Sequence, residues 1–303
     1  MLRRPLASLV SLVAFVPLAA LALLAPTACG TSTPAAETHT STAAAVTGTA
    51  LAPPPESSSA PAPAATPSPP AGWRYAQPVV VSGAHGMVVS DHATASKVGR
   101  DVLASGGNAA DAAVATAFAL AVVFPTAGNI GGGGFAVTRM GGETRALDFR
   151  ETAPAAASRN MYLDTHAKPT EDMNSGPKAS GVPGSVAGLY ELYQTLGSKK
   201  KTWAELLAPA IAFAEQGFVV DDAFLDTLER SNGGRLKKAP SSAALFFPNG
   251  APPAKGSTFK NPDLAATLKR IAAKGPTGFY EGATADAIVA QMKNGGGIIT
   301  RAD

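Results

Sequence analysis

Arg150 is the side chain best suited to chemistry in this 303-residue chain. It sits in Asp148-Phe149-Arg150-Glu151, a short distance after Gly128-Asn129-Ile130-Gly131-Gly132-Gly133-Gly134-Phe135. A guanidinium is a planar fork of N–H donors that meets a carboxylate through two parallel hydrogen bonds. Glycine loses the most backbone freedom on folding, so four in succession belong where backbone must pass close to another backbone or to a ligand. A glycine turn beside a carboxylate clamp suits a site that reads a small acidic substrate. Two plainer readings stand beside this one. Arg150 can form a strand-end ion pair with Asp148 or Glu151, worth little if exposed. The glycine run can cradle phosphate through its N–H groups, but neither a lysine nor a helix-start hydroxyl supports that. A tight backbone crossing in the core is the better reading of the run.

Other catalytic signatures are missing. The sequence has no Gly-x-Ser-x-Gly elbow, no His-Glu-x-x-His and no phosphate loop ending in Gly-Lys-Ser/Thr. His39, His85, His92 and His166 are scattered, and no carboxylate pattern makes them metal ligands. His92 reads as a surface residue at a helix start.

The elements that must position Arg150 follow from local patterns. Pro78–Val81 and Gly86–Ser90 read as short strands around a turn. A helix over about Ala93–Ser105 places Ala95, Val98, Val102 and Leu103 on one face, and Gly106-Gly107 stops it. Asn108 caps a second helix, with Asp111 in its first turn. That helix is apolar all round as far as Val123, which predicts burial on most sides. Phe135–Arg139 and Thr144–Phe149 read as a hairpin across Met140–Glu143. Glu151–Gly181 reads as irregular. Helices follow from Pro183-Gly184 to about Leu196, then at Trp203–Gln216, Asp221–Arg230, Pro262–Ala273 and Ala283–Lys293. Lys199–Lys201 and Lys237-Lys238 read as solvated loops. Strands early and helices late indicate an α+β core.

The first 72 residues are of another kind. Arg3 and Arg4 precede an uncharged apolar run from Pro5 to Ala28, the layout of a secretory signal over residues 1–28. The sole cysteine, Cys29, follows directly, and Pro26-Thr27-Ala28-Cys29-Gly30 resembles a bacterial lipoprotein cleavage box, with Pro26 the misfit. Cys29 is the expected lipidation site. An ordinary signal peptide and an uncleaved anchor of about 24 residues are the alternatives, and all three place the folded part outside the cytoplasm. Residues 29–72 hold the anchor candidate and a tether of Ala, Pro, Thr, Ser and Gly, which lacks the apolar surface to offset the entropy of ordering. The chain carries 25 basic and 22 acidic residues. Removing Arg3 and Arg4 with the leader leaves 23 against 22, so charge gives no case for nucleic acid.

Five pieces then line up in order: Gly106-Gly107-Asn108-Ala109-Ala110-Asp111-Ala112-Ala113-Val114-Ala115, the run Gly128 to Phe135, Asp148-Phe149-Arg150-Glu151-Thr152-Ala153-Pro154, Ser180-Gly181-Val182-Pro183-Gly184-Ser185-Val186-Ala187-Gly188, and Gly295-Gly296-Gly297-Ile298-Ile299-Thr300. From about Gly86 to Asp303 the chain resembles the γ-glutamyltranspeptidase family. The resemblance implies an N-terminal nucleophile hydrolase-like αββα layered sandwich over residues 73–303, incomplete because the chain stops within the large subunit. It implies a precursor that cuts itself, after which the new N-terminal threonine of the small subunit attacks a γ-glutamyl amide such as glutathione. The acyl group then passes to water, an amino acid or a dipeptide. By motif position Arg150 holds the substrate α-carboxylate. No metal or organic cofactor is implied. No catalytic residue is assigned within this chain, since Thr300 matches a large-subunit segment well before the cleavage point. The chain by itself is therefore expected to be inactive, with exposed strand edges. Two alternatives remain. One is a β-lactam side-chain acylase or polyglutamate-processing transferase of the same superfamily; the other is a truncated, non-catalytic envelope binding protein.

Overall fold

The computed structural model describes residues 82–231 and 233–303, all within the stretch Tyr75–Asp303. The expected leader, Cys29, the expected tether and the strand expected at Pro78–Val81 lie outside the described residues. Helix α1 (Ala93–Ala104) packs against helix α2 (Ala109–Val123), and the antiparallel hairpin strands β1 (Phe135–Met140) and β2 (Glu143–Asp148) follow. After an irregular stretch come α3 (Ser185–Leu196), α4 (Trp203–Gln216), β3 (Phe218–Val219) and α5 (Asp222–Asp226). The chain continues through α6 (Gly233–Lys238), α7 (Pro240–Phe246), β4 (Thr258–Phe259), α8 (Pro262–Lys274), α9 (Thr277–Tyr280) and α10 (Gly282–Gly295).

The mixed helix-and-strand class is as expected. The described strands form two separate two-stranded antiparallel sheets, β1–β2 and β3–β4. In the hairpin Phe135 faces Asp148 and Met140 faces Glu143. Its tip is Gly141-Gly142, both at positive φ (59° and 86°), the conformation that a tight two-residue turn demands. Gly86–Ser90 forms no strand, because no described segment pairs with it, and Met87 and Val89 are left exposed. Lys237-Lys238 ends a short helix rather than lying in a loop, with Lys237 Nζ 4.8 Å from the centre of the Phe247 ring. The helix expected over Asp221–Arg230 is split, since α5 passes into a π-helical turn over Thr227–Ser231.

Helix α2 is the centre of the core. Its Val114, Ala115, Phe118, Ala119 and Val123 are fully buried, as an all-apolar helix requires. The Trp203 indole at the start of α4 meets Phe118 edge-on (5.4 Å) and Tyr190 of α3 (5.0 Å), and its Nε1–H donates to the Ile271 carbonyl of α8 (2.9 Å). One side chain thus ties four helices, with its polar atom satisfied. A second aromatic group, Phe218, Phe224 and Phe259, joins β3–β4 to α5.

Two polar groups inside this core hold elements together. Asp111 is completely buried. Its carboxylate accepts from Asn108 N–H (2.9 Å), and the Asn108 side chain accepts from Asp111 N–H (3.0 Å), a reciprocal cap of α2. The same carboxylate accepts from Ser198 N–H (3.1 Å), and Asn108 Nδ2 donates to the Leu196 carbonyl (2.7 Å), so the cap also anchors the α3–α4 loop. His92 is the other, and it corrects the surface assignment. It is 2% exposed, and its Nδ1 accepts from Thr94 N–H (3.2 Å), capping α1. Its Nε2 stands 3.3 Å from Asp221 Oδ2, without hydrogen-bond alignment, while Asp221 Oδ1 caps α5 at Phe224 N–H (2.9 Å). A helix-start polar residue with its cap bond made can be packed over by a neighbouring element; periodicity alone does not distinguish that case from an exposed one.

Asp303 ties the end of the described chain to the segment after Arg150. Its Oδ1 accepts from Ala155 N–H (2.6 Å), and its Oδ2 from Thr300 N–H (2.7 Å) and Thr300 Oγ1–H (2.8 Å). These bonds, Ala155 N–H foremost, hold its carboxyl below the usual aspartate range.

Asp111→Asn should destabilise the chain by about 2–3 kcal/mol, because an amide donor replaces one acceptor in a buried cluster of N–H groups. Urea unfolding measures it; a loss under about 0.5 kcal/mol, the size of an ordinary surface change, would remove the carboxylate from its anchoring role. A carboxyl with a lowered folded-state pKa stabilises above the unfolded pKa and ceases to do so as pH falls through the folded value. The Ala155 amide resonance should therefore titrate in acid with a midpoint below about 3.9, the ordinary aspartate value. A midpoint at or above that value contradicts the Asp303 bond.

Candidate functional site

Arg150 follows β2 directly, on a segment fixed by backbone contacts from two sides. On one side is the glycine run. Phe149 N–H donates to Gly134 O (2.9 Å) and Gly134 N–H to Phe149 O (3.3 Å), extending the hairpin ladder by one pair. A β-carbon on Gly133 would stand 2.6 Å from both Glu151 N and Phe149 O. The run is therefore the tight backbone crossing that its composition predicts, with Phe149–Glu151 as the segment crossed.

On the other side is the turn into α3. Thr152 and Val182 exchange backbone hydrogen bonds (3.4 and 2.9 Å). The N–H groups of Gly184 and Ser185 both donate to Gly132 O (2.8 Å each). The start of α3 has no side-chain cap, and the buried Gly132 carbonyl supplies the acceptor that a helix N-terminus needs. Tyr280 of α9 braces the same corner. Its hydroxyl donates to Pro183 O (2.9 Å) and accepts from Ala187 N–H (3.2 Å). Burial pushes its phenol up, and the Ala187 N–H offsets part of that shift.

The Arg150 side chain is exposed, and among the described residues it has no ion pair or hydrogen bond. The plainer reading, a pair with Asp148 or Glu151, is not what the structure shows. Asp148 is occupied elsewhere: its Oδ1 accepts the backbone N–H of Arg150 (3.0 Å). An aspartate that bonds the N–H two residues on forms a side-chain-closed turn, and this one fixes the Arg150 backbone while leaving the guanidinium unneutralised. The Asp-x-Arg spacing carries that signal; Tyr280, 130 positions later in the chain, carried none. A guanidinium so placed can bind a carboxylate bidentately. Among the described residues no group of three or more His, Cys, Asp or Glu side chains is placed to hold a metal ion. Nor is any described helix long and apolar enough to cross a membrane.

Comparison with known proteins adds the lineage. Residues 95–303 match the family model described as gamma-glutamyltranspeptidase. The chain is 48% identical over 225 residues to a glutathione hydrolase proenzyme of Pseudomonas sp. (strain A14), an alignment that covers 74% of this chain and 39% of that protein. It is 42% identical over 244 residues to the glutathione hydrolase proenzyme of Escherichia coli K12, covering 78% and 41%. Among solved structures it is similar to Helicobacter pylori gamma-glutamyltranspeptidase, with a TM-score of 0.70 at 44% identity, over 74% of this chain and 64% of that one. The chain spans about two-fifths of the length of these curated relatives. With the family model matched over most of its described length, the chain belongs to the γ-glutamyltranspeptidase family.

Proposed function

We propose that this chain is large-subunit polypeptide of an exported enzyme that cleaves γ-glutamyl amides such as glutathione and passes the acyl group to water, an amino acid or a dipeptide. The observation that carries this reading is Arg150: an exposed guanidinium without a partner among the described residues, on a backbone pinned from both sides. Its fork holds the α-carboxylate of the γ-glutamyl group and so presents the γ-carbonyl at a fixed distance to the nucleophile. That nucleophile is the N-terminal threonine of the small subunit cut from the same precursor, and no threonine of this chain takes its place. Its hydroxyl adds to the γ-carbonyl, its own α-amine accepts the proton, and the leaving amine departs protonated. The acceptor then resolves the acyl-enzyme by the reverse sequence. The proenzyme names of the relatives support the self-cutting precursor.

The hairpin supports the layered sandwich of the complete fold. Phe135 and Val137 are 63% and 78% exposed, while Met140 and Leu147 pack towards the core. The same exposed face carries Ala146 opposite Val137, and the polar Arg139, Thr144 and Asp148; in an αββα stack a second sheet covers such a face. Outside the described residues, the reading assigns residues 1–28 to the leader, Cys29 to lipid attachment and the rest of 29–72 to a tether that keeps the folded part off the membrane.

In the complete enzyme, Arg150→Ala should lower kcat/KM for γ-glutamyl donors by the equivalent of about 2–5 kcal/mol. Arg150→Lys should recover only part of the loss, since a point charge cannot bind two oxygens in parallel. Donor kinetics unchanged by Arg150→Ala would take Arg150 out of the site. Cys29→Ser should abolish incorporation of labelled fatty acid in the expressing cell; label that persists refutes the anchor.

A further inference from the structure

The motif Gly181-Val182-Pro183-Gly184-Ser185-Val186-Ala187-Gly188 has so far served only to begin α3. Gly184 and Gly188 lie four residues apart and so share one face of the helix start. Neither has positive φ, so backbone conformation does not call for glycine at either position. Within a helix Gly is about 1 kcal/mol less favourable than Ala, and at Gly188 that disadvantage is accepted for contact. A β-carbon on Gly188 would overlap the Phe149 Cβ and Cγ atoms and stand 2.7 Å from its Cδ1. One on Gly184 would overlap the Phe149 carbonyl oxygen and stand 3.2 Å from that of Arg150. From the other wall, a β-carbon on Gly134 would stand 3.0 and 3.2 Å from Phe149 Cε2 and Cζ. The Phe149 ring thus lies in a slot with Gly188 against its base and Gly134 against its far edge.

We propose that this slot positions Arg150: the depth to which Phe149 sits between Gly134 and Gly188 sets where the neighbouring guanidinium stands, and so how well the site separates donors with an α-carboxylate from donors without one. The inference rests on Arg150 being the carboxylate clamp. Phe149 and the slot glycines do not touch substrate. They act through the one peptide unit between Phe149 and Arg150, whose N–H is already held by Asp148 (3.0 Å). A methyl added at Gly188 meets Phe149 Cβ, an atom that no side-chain rotation moves, so the Phe149 backbone, and Arg150 next to it, must shift to make room.

The experiment uses the complete enzyme and two chromogenic donors, γ-glutamyl-p-nitroanilide and 4-aminobutanoyl-p-nitroanilide, which has the same acyl chain without the α-carboxylate. The readout is the ratio of their kcat/KM values, with the thermal midpoint of each variant measured alongside. Gly188→Ala should lower the ratio by about 10- to 100-fold, the effect of displacing a binding group by about 1 Å, mainly through KM of the γ-glutamyl donor. Gly134→Ala should lower it less, and adding Phe149→Leu, which lacks the Cε2 and Cζ atoms that the new methyl meets, should restore it. A general loss of packing would depress both donors alike and leave the ratio intact. If Arg150→Ala collapses the ratio while folded Gly188→Ala and Gly134→Ala leave it unchanged, the slot is only structural and the clamp stands. If Arg150→Ala leaves the ratio unchanged, the clamp itself fails and the slot with it. Should Gly188→Ala not fold, the Gly134→Ala loss and its recovery by Phe149→Leu decide the matter.

Discussion

Backbone from the glycine run and from the α3 turn meets Phe149–Glu151 with no side chain in between. At Gly133, Gly184 and Gly188 even a methyl group would collide. Because the approach is backbone to backbone, hydrogen bonds close it on both sides: Gly134 with Phe149, Thr152 with Val182, and Gly132 O with the first two N–H groups of α3. Each is modest in net energy, about 1 kcal/mol, but their partners lie on distinct segments. The position of Arg150 therefore depends on the helical core behind those segments.

That core is rigid for identifiable reasons. The Trp203 indole spans α2, α3, α4 and α8 through ring contacts and one hydrogen bond. The Asp111 carboxylate fastens the beginning of α2 to the far end of α3. Hydrogen bonds hold α3 at both ends, from Gly132 and Tyr280 at one and Asp111 at the other, and α3 forms one wall of the slot around Phe149. A buried acid without a cation is tolerable here because backbone N–H groups supply the charge-assisted bonds it needs.

The electrostatics of the site follow from the same geometry. Arg150 lies between two acids in sequence, yet neither neutralises it. Asp148 spends an oxygen on the Arg150 amide, which turns the local acid into a backbone constraint. The guanidinium is left without a partner among the described residues, and any ion pair made at such an exposed position gains strength only when the surrounding water is displaced.

Local patterns in the sequence determined most of the helices: α2 with its Asn108–Asp111 cap, α4 from Thr202 to Gly217, and the hairpin with its glycine tip are legible because each is built from contacts a few residues apart. The ordered motifs also determined the family. Other features needed the tertiary structure because their partners are far away in the chain. His92 has the sequence signature of a surface helix start, but it is buried beside Asp221, the cap of α5 far along the chain. Gly86–Ser90 has strand composition but no described partner. The short helices α6, α7 and α9 lack a periodic stretch long enough to announce them. The Arg150 motif offered a carboxylate-binding fork by residue type alone. That its guanidinium is unpaired among the described residues, and that Gly188, 38 positions on, shapes the slot beside it, depends on which backbones come within van der Waals contact, and only the folded chain decides that.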